Sequence, residues 1–358
     1  MITPNCRPLL IGSLPITNHQ QAADIILRYT PEIPLWPQLP KNPREGMVRQ
    51  FLTGFPGLID SNKGFWIDTE AEDFAVSMTA FYEEYMAVEA NHDLLKDSRF
   101  RLAADSASGF SVLLDTLHLR KHDSYTVKGQ VTGPITTGIG AKTGQGESIF
   151  YDDNLRDMLV KHLTMKGCWQ ARQIQQRAKI KTPIIFIDEP AMVSFGSSAF
   201  VGITRELVTE SMSEIISGIR ATGALVGVHI CANGDWAPVL QSKADIISFD
   251  AYSYFENLLL FKEELTSFLQ RGGILAWGIV PTGDPEIISK ETVTSLLDKF
   301  KTQLNQLTAL GFVKESLLQR VFITPSCGTG SLPLNTALDV LEMNSTLSYE
   351  IQKKFMTP

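Results

Sequence analysis

Eight times along this chain a short apolar run ends in a motif bearing proline, glycine or an acid, and that recurrence limits the folds open to it. The runs are Pro8–Ile11, Ile33–Trp36, Tyr125–Val131, Pro183–Ile187, Ala224–Val228, Ala244–Phe249, Ile274–Gly278 and Val321–Thr324. Seven of them are closely followed by a segment of helical period, at 18–29, 43–51, 154–179, 204–221, 255–271, 290–310 and 335–354. Continuous apolar runs suit parallel strands covered on both faces, whereas strict alternation would mark a half-exposed sheet. The sequence therefore predicts an α/β protein, a (β/α)8 TIM barrel built as a single domain over residues 1–358.

The pattern pauses at 57–124, between the second and third runs. Leu58–Asp60 and Phe65–Asp68 flank Ser61-Asn-Lys-Gly64, which reads as a hairpin with a glycine in its turn. Two amphipathic helices are expected next, at about 70–89 and 100–117, with Asp97 and Ser98 as cap residues before the second. No Gly/Ser- or Pro-rich linker sets this stretch apart, so it is expected to be an insertion within the barrel.

Composition narrows the function classes. A formal net charge of -7 argues against a nucleic-acid binder, which needs a basic face for phosphates. Four cysteines in 358 residues make no disulfide framework and fit a reducing compartment. The start of the chain lacks the long apolar core of a signal peptide, and no run approaches the roughly 20 apolar residues of a spanning helix. A soluble cytoplasmic protein is expected, with no membrane partner.

Barrel active sites are built from the C-terminal ends of the strands, where the unusual residues of this chain fall. His229 and Cys231 stand one residue apart at the end of the fifth run, so in extended backbone their side chains emerge on the same side. Cys327, in Pro325-Ser-Cys-Gly-Thr-Gly330, follows the eighth run. A lone cysteine is most often a buried core residue, but three nitrogen and sulfur donors on one rim suit Zn2+. Three protein ligands would leave a position at which an incoming thiol is deprotonated into a nucleophile. His229, Cys231 and Cys327 are therefore the candidate metal-binding and catalytic residues. Asp188 and Glu189 end the fourth run as an acidic pair suited to a substrate ammonium group. The glycine-rich stretch 138–147 lacks P-loop spacing and reads as a lid. Cys6, Cys168 and the remaining histidines have no spacing that joins them to the site.

Together Gly12-Ser-Leu-Pro15, Thr132-Gly-Pro134, Ile187-Asp-Glu-Pro-Ala191, His229-Ile-Cys231, Ala244-Asp-Ile-Ile-Ser-Phe-Asp250 and Pro325-Ser-Cys-Gly328 resemble the catalytic barrel of cobalamin-independent methionine synthases. That superfamily also includes uroporphyrinogen decarboxylases and zinc-dependent corrinoid methyltransferases. The resemblance implies zinc held by His229, Cys231 and Cys327, homocysteine as methyl acceptor, its ammonium on Asp188 and Glu189, and its carboxylate on Ser13. The family places a glutamate ligand after the sixth strand, where this chain has Asp250. The chain has the length of the catalytic barrel alone, so the expected donor is a methylated corrinoid protein and not methyltetrahydrofolate, for whose pterin Trp36, Trp66 or Trp277 would be the stacking candidates. The alternatives are a methyltransferase for a thiol such as coenzyme M, a decarboxylase-like lyase, and a catalytically silent binding barrel.

Overall fold

The structure is a computed structural model that describes residues 2–194 and 202–356. The central element is a six-stranded parallel sheet in sequential order, with helices connecting its strands. After the hairpin strands β1 (Leu58–Ser61) and β2 (Gly64–Ile67), it comprises β3 (Lys128–Thr132), β4 (Ile184–Asp188), β5 (Leu225–Ile230), β6 (Ile246–Phe249), β7 (Ile274–Val280) and β8 (Val321–Pro325). All residues of β3, β4, β6, β7 and β8 are buried, as expected of strands covered on both faces.

The runs at 8–11 and 33–36 do not join the sheet as strands. Pro8 makes an isolated parallel bridge to Ile323 of β8, Leu35 makes one to Lys128 of β3, and Ser13 pairs in the same sense with Gln38. Backbone bonds accompany them: Leu9 N–H to the Ile323 carbonyl at 2.9 Å and Ile323 N–H to the Arg7 carbonyl at 3.0 Å, Lys128 N–H to the Pro34 carbonyl at 2.9 Å, and Leu14 N–H to the Gln38 carbonyl at 3.0 Å with Gln38 N–H to the Gly12 carbonyl at 3.1 Å. Proline supplies the reason. Pro8, Pro34 and Pro37 have no N–H to donate, so a continuous ladder cannot form there. The two segments nevertheless lie along opposite edges of the sheet and meet each other at Ser13 and Gln38. A compact apolar cluster joins Leu9 and Ile33 from these segments to Ile184, Phe186, Ile246, Ile274, Ala276 and Phe322.

The hairpin forms as expected, with Ser61 paired to Gly64 across its turn and Gly64 at a φ of 132°. The helices after it start later than expected, at Phe74–Ala90 and Ser108–Leu119. Asp97 and Ser98 do not cap the second. They end a 3-10 helix, His92–Asp97, whose last turn Ser98 closes by donating its hydroxyl to the Leu95 carbonyl. Of the later helices, Asp153–Arg177, Arg205–Arg220 and Leu334–Phe355 match their predicted spans closely. The regions at 255–271 and 290–310 instead give the pairs Ala251–Leu259 with Lys262–Gln270 and Pro285–Lys290 with Val293–Thr308. The stretch expected as a lid is tied down by bridges from Thr143 to Ile67 of the hairpin and from Lys142 to Ser148. Among the described residues no helix is long and apolar enough to cross a membrane.

Candidate metal centre

Parallel register lines up the side chains of the site. Thr132 of β3 pairs with Asp188 of β4, Asp188 with His229 of β5, and His229 with Ser248 of β6. One ring nitrogen of His229 and the sulfurs of Cys231 and Cys327 lie within 4.8 Å of one another, and they are the one such group of potential metal donors among the described residues. Tetrahedral zinc, with bonds of about 2.0–2.3 Å, sets its ligand atoms about 3.5–4 Å apart, so the three donors fit with small adjustments.

The histidine carries the clearest sign. Its Nδ1 lies 2.9 Å from the Ser248 hydroxyl, while its buried Nε2 has no partner. The tautomer that donates Nδ1–H to Ser248 leaves a lone pair on Nε2, which is how metal-binding imidazoles are oriented. The neighbouring Cys327 holds the Cys231 thiol well below the ordinary range, with His229 adding to the effect, while Cys231 and burial push Cys327 up. A thiolate at Cys231 suits a soft cation. All four cysteines are free, and Cys6 and Cys168 are buried away from this cluster.

These donors line a cavity of about 260 Å³ together with Ser13, Gln38, Glu45, Met47, Asp188 and Ser331. Asp188 is 4% exposed and its Oδ1 has no hydrogen-bond partner. Burial raises its pKa, against the pull of Lys128 and His229. Glu45 was not singled out from sequence. Its carboxylate accepts from the Leu39 N–H and the Asn42 amide, both at 3.0 Å, and lies 2.5 Å from His19 Nε2.

Glu189 does not line this cavity. It is fully buried and accepts from the N–H groups of Ile135 (2.8 Å) and Thr136 (2.9 Å) and from the Thr136 hydroxyl (2.6 Å). It thus closes the N-terminus of helix Pro134–Gly140, and its pKa is raised to about 7 by burial against the opposing pull of those bonds. The expectation that Glu189 holds a substrate ammonium gives way to a bracing contact. Gly133 is needed for it, since a Cβ there would stand 2.1 Å from Glu189 Oε1.

Ser13 lies at the cavity, but its Oγ accepts the Gly330 N–H at 3.0 Å and its carbonyl accepts from Thr329 N–H (3.1 Å) and Oγ1 (2.9 Å). A Cβ on Gly328 would come within 2.2 Å of Ser13 Oγ, so the glycine is what lets the two loops close on each other. Asp250 falls outside the donor group. It caps helix Ala251–Leu259 by accepting the Ser253 N–H at 2.8 Å. Trp36 and Trp277 are fully buried, bonded through Nε1 to Gln170 and Gln303 respectively, so neither offers a stacking face at the cavity.

No protein-family model matches the chain, and no curated protein matches it. Among solved structures, a methyltransferase from Methanosarcina mazei aligns at a TM-score of 0.50 and 11% identity, over 95% of this chain and 94% of that one. At that identity the likeness concerns the fold. A structure of the tandem GH20 catalytic modules of a pneumococcal exo-beta-D-N-acetylglucosaminidase aligns at 0.45 and 10% identity, over 96% and 85% of the chains, too remote to argue from.

Proposed function

We propose that this protein is a zinc-dependent methyltransferase that converts homocysteine to methionine, with a methylated corrinoid protein as donor. One observation carries the reading. His229, Cys231 and Cys327 converge from the ends of β5 and β8, and Nε2 of the histidine is left unpartnered within the group. The proposal includes the architecture: the segments at 8–13 and 33–38 take the places of the first two strands of a (β/α)8 barrel, with 57–124 inserted after them. Their bridges to β8, to β3 and to each other support this, as does the apolar cluster that both segments share with the sheet.

His229, Cys231 and Cys327 would hold the ion, with Ser248 fixing the ring of His229. Zinc bound there would supply Lewis acidity, lowering the pKa of an acceptor thiol so that it reacts as thiolate. Asp250 caps its helix and is not needed as a ligand. Asp188, beside His229 in the register, would receive the acceptor's ammonium, and the cavity walls would exclude water from the sulfur. The reacting sulfur attacks the methyl carbon of the donor. A C–S bond forms as the bond from methyl to donor breaks, and its electron pair stays with the donor. The corrinoid assignment rests on the resemblance to short members of the family. It is consistent with the burial of Trp36 and Trp277, which denies a pterin two of its stacking partners.

Transfer of labelled methyl to homocysteine, from a methylated corrinoid protein and separately from methyltetrahydrofolate, tests the reading. Methionine is expected with the first donor. Its absence with both, from zinc-loaded protein, refutes the proposal.

A further inference from the structure

We propose that Glu45 is the base that takes the proton of the acceptor thiol, and that His19 is its outlet to solvent. The inference rests on the reading of the cavity as an acceptor-thiol site and adds to it the residues that carry the proton away. Deprotonating a thiol leaves a proton to dispose of, and a ligand that fills the cavity displaces the water that would otherwise take it.

Glu45 lines the same cavity as His229, Cys231 and Cys327, yet its side chain is 1% exposed. It ends the 3-10 helix Pro43–Glu45, and the chain folds back around its carboxylate. Leu39 N–H donates to Oε2 at 3.0 Å and the Asn42 amide to Oε1 at 3.0 Å, while the Glu45 N–H bonds the Asn42 carbonyl at 2.9 Å. An ionised carboxylate has about four lone-pair sites. Asn42 and His19 occupy those of Oε1 and Leu39 takes one on Oε2, which leaves a place on Oε2 for a proton from the cavity. On the other side, His19 Nε2 lies 2.5 Å from Oε1. His19 is the first residue of helix His19–Tyr29, and its side chain is 19% exposed. The carboxylate thus borders the cavity, the imidazole reaches the surface, and one hydrogen bond joins them.

The other carboxylate of the wall leads inward. The cation whose field reaches Asp188 is Lys128, which is fully buried and donates to the Ile11 carbonyl at 2.5 Å, so a proton taken there stays in the core. Through Glu45 the step balances. The S–H bond breaks and its electron pair stays on sulfur, and the proton goes to Glu45 Oε2. His19, as imidazolium beside the carboxylate, gives its Nδ1 proton to solvent. Carboxylate and imidazolium become carboxylic acid and neutral imidazole, so the buried pair carries no net charge before or after. One proton leaves the protein for each thiol bound. When product departs, water re-enters the cavity and takes the Glu45 proton, and His19 regains one from solvent.

Stopped-flow mixing of the zinc-loaded protein with homocysteine in weak buffer, read with a pH-indicator dye, tests this. Glu45→Gln and His19→Ala should each slow proton release by a factor on the order of 100. Added imidazole should restore the rate of His19→Ala and leave that of Glu45→Gln unchanged. A pair that only fastens the turn to the helix would give no such rescue. The proposal is overturned if Glu45→Gln, with its zinc content intact, releases the proton at the wild-type rate. It is equally overturned if His19→Ala is not slowed, or is slowed and imidazole does not restore it. Because His19 reaches the surface, its variant decides the matter even if Glu45→Gln fails to fold. Wild-type rates in both variants beside normal methyl transfer would remove this inference and leave the functional reading. Slowed and rescued release without methyl transfer would do the reverse, and a wild-type protein that binds no thiol removes both.

Discussion

Ser248→Ala isolates the one hydrogen bond that orients His229. Ser248 is fully buried in β6 and lies opposite His229 in the register, with its hydroxyl 2.9 Å from Nδ1. Removing the hydroxyl leaves Nδ1–H without a partner on a histidine that is itself 3% exposed. That loss, about 1–3 kcal/mol for an orphaned buried group, acts on the metal-free and metal-bound proteins alike and appears as reduced stability. The effect on affinity comes from freeing the ring to turn and to place either nitrogen towards the sulfurs. Partners of metal-binding histidines typically contribute 10–100-fold in affinity, or about 1.4–2.7 kcal/mol. Competition with a chromophoric chelator measures this directly. The expected order is wild type, then Ser248→Thr close behind because it keeps the oxygen, then Ser248→Ala, with Cys327→Ser weakest because a ligand atom is exchanged. If Ser248→Ala retains wild-type zinc affinity while Cys327→Ser loses it, the orientation argument is wrong although the donor set survives.

Gly133→Ala should destabilise the protein by about 3 kcal/mol or more, because the added Cβ meets Glu189 and pushes it off three hydrogen bonds; a melting curve unchanged by the substitution would contradict the packing described. Glu189 also gives a pH prediction. Its folded pKa of about 7 lies above the ordinary 4.5 of a glutamate, so the native state binds the extra proton between those values. Stability falls as pH rises from 4.5 to about 7, by up to about 3 kcal/mol. Chemical denaturation of Glu189→Gln across that interval should show a flatter profile than wild type, and parallel profiles would refute the assignment.

Five of the six sheet strands were legible as short, largely apolar runs with no internal proline, and β3, with one valine among polar residues and a glycine, was legible from its place in the series. The segments at 8–11 and 33–36 carry the same apolar signal, yet Pro8, Pro34 and Pro37 reduce them to isolated bridges. His229, Cys231 and Cys327 were legible because nitrogen and sulfur donors at strand ends are chemically conspicuous, and the structure brings them together. Ser248 was not, since nothing separates a serine inside a strand from its neighbours until the register sets it opposite His229. Asp188 and Glu189 look equivalent in sequence. Only the turn after β4 decides that one lines the cavity and the other closes a helix. Glu45 comes from a stretch where no motif marks it, and it reaches the cavity through the chain reversal at Leu39–Asn42.

The contact of Ser13 with Gly328 and Gly330 has a consequence for how the protein matures. As the chain is synthesised, His229 and Cys231 emerge together, but the third sulfur follows only after β6, β7 and β8. Its loop is then fastened by the hydroxyl of Ser13, more than three hundred residues earlier. On the proposed metal reading, a nascent chain short of β8 offers two of the three donors, so loading of the full site would follow the docking of β8 and its loop against the segment around Ser13. Occupancy would then record that these two distant parts of the fold have met.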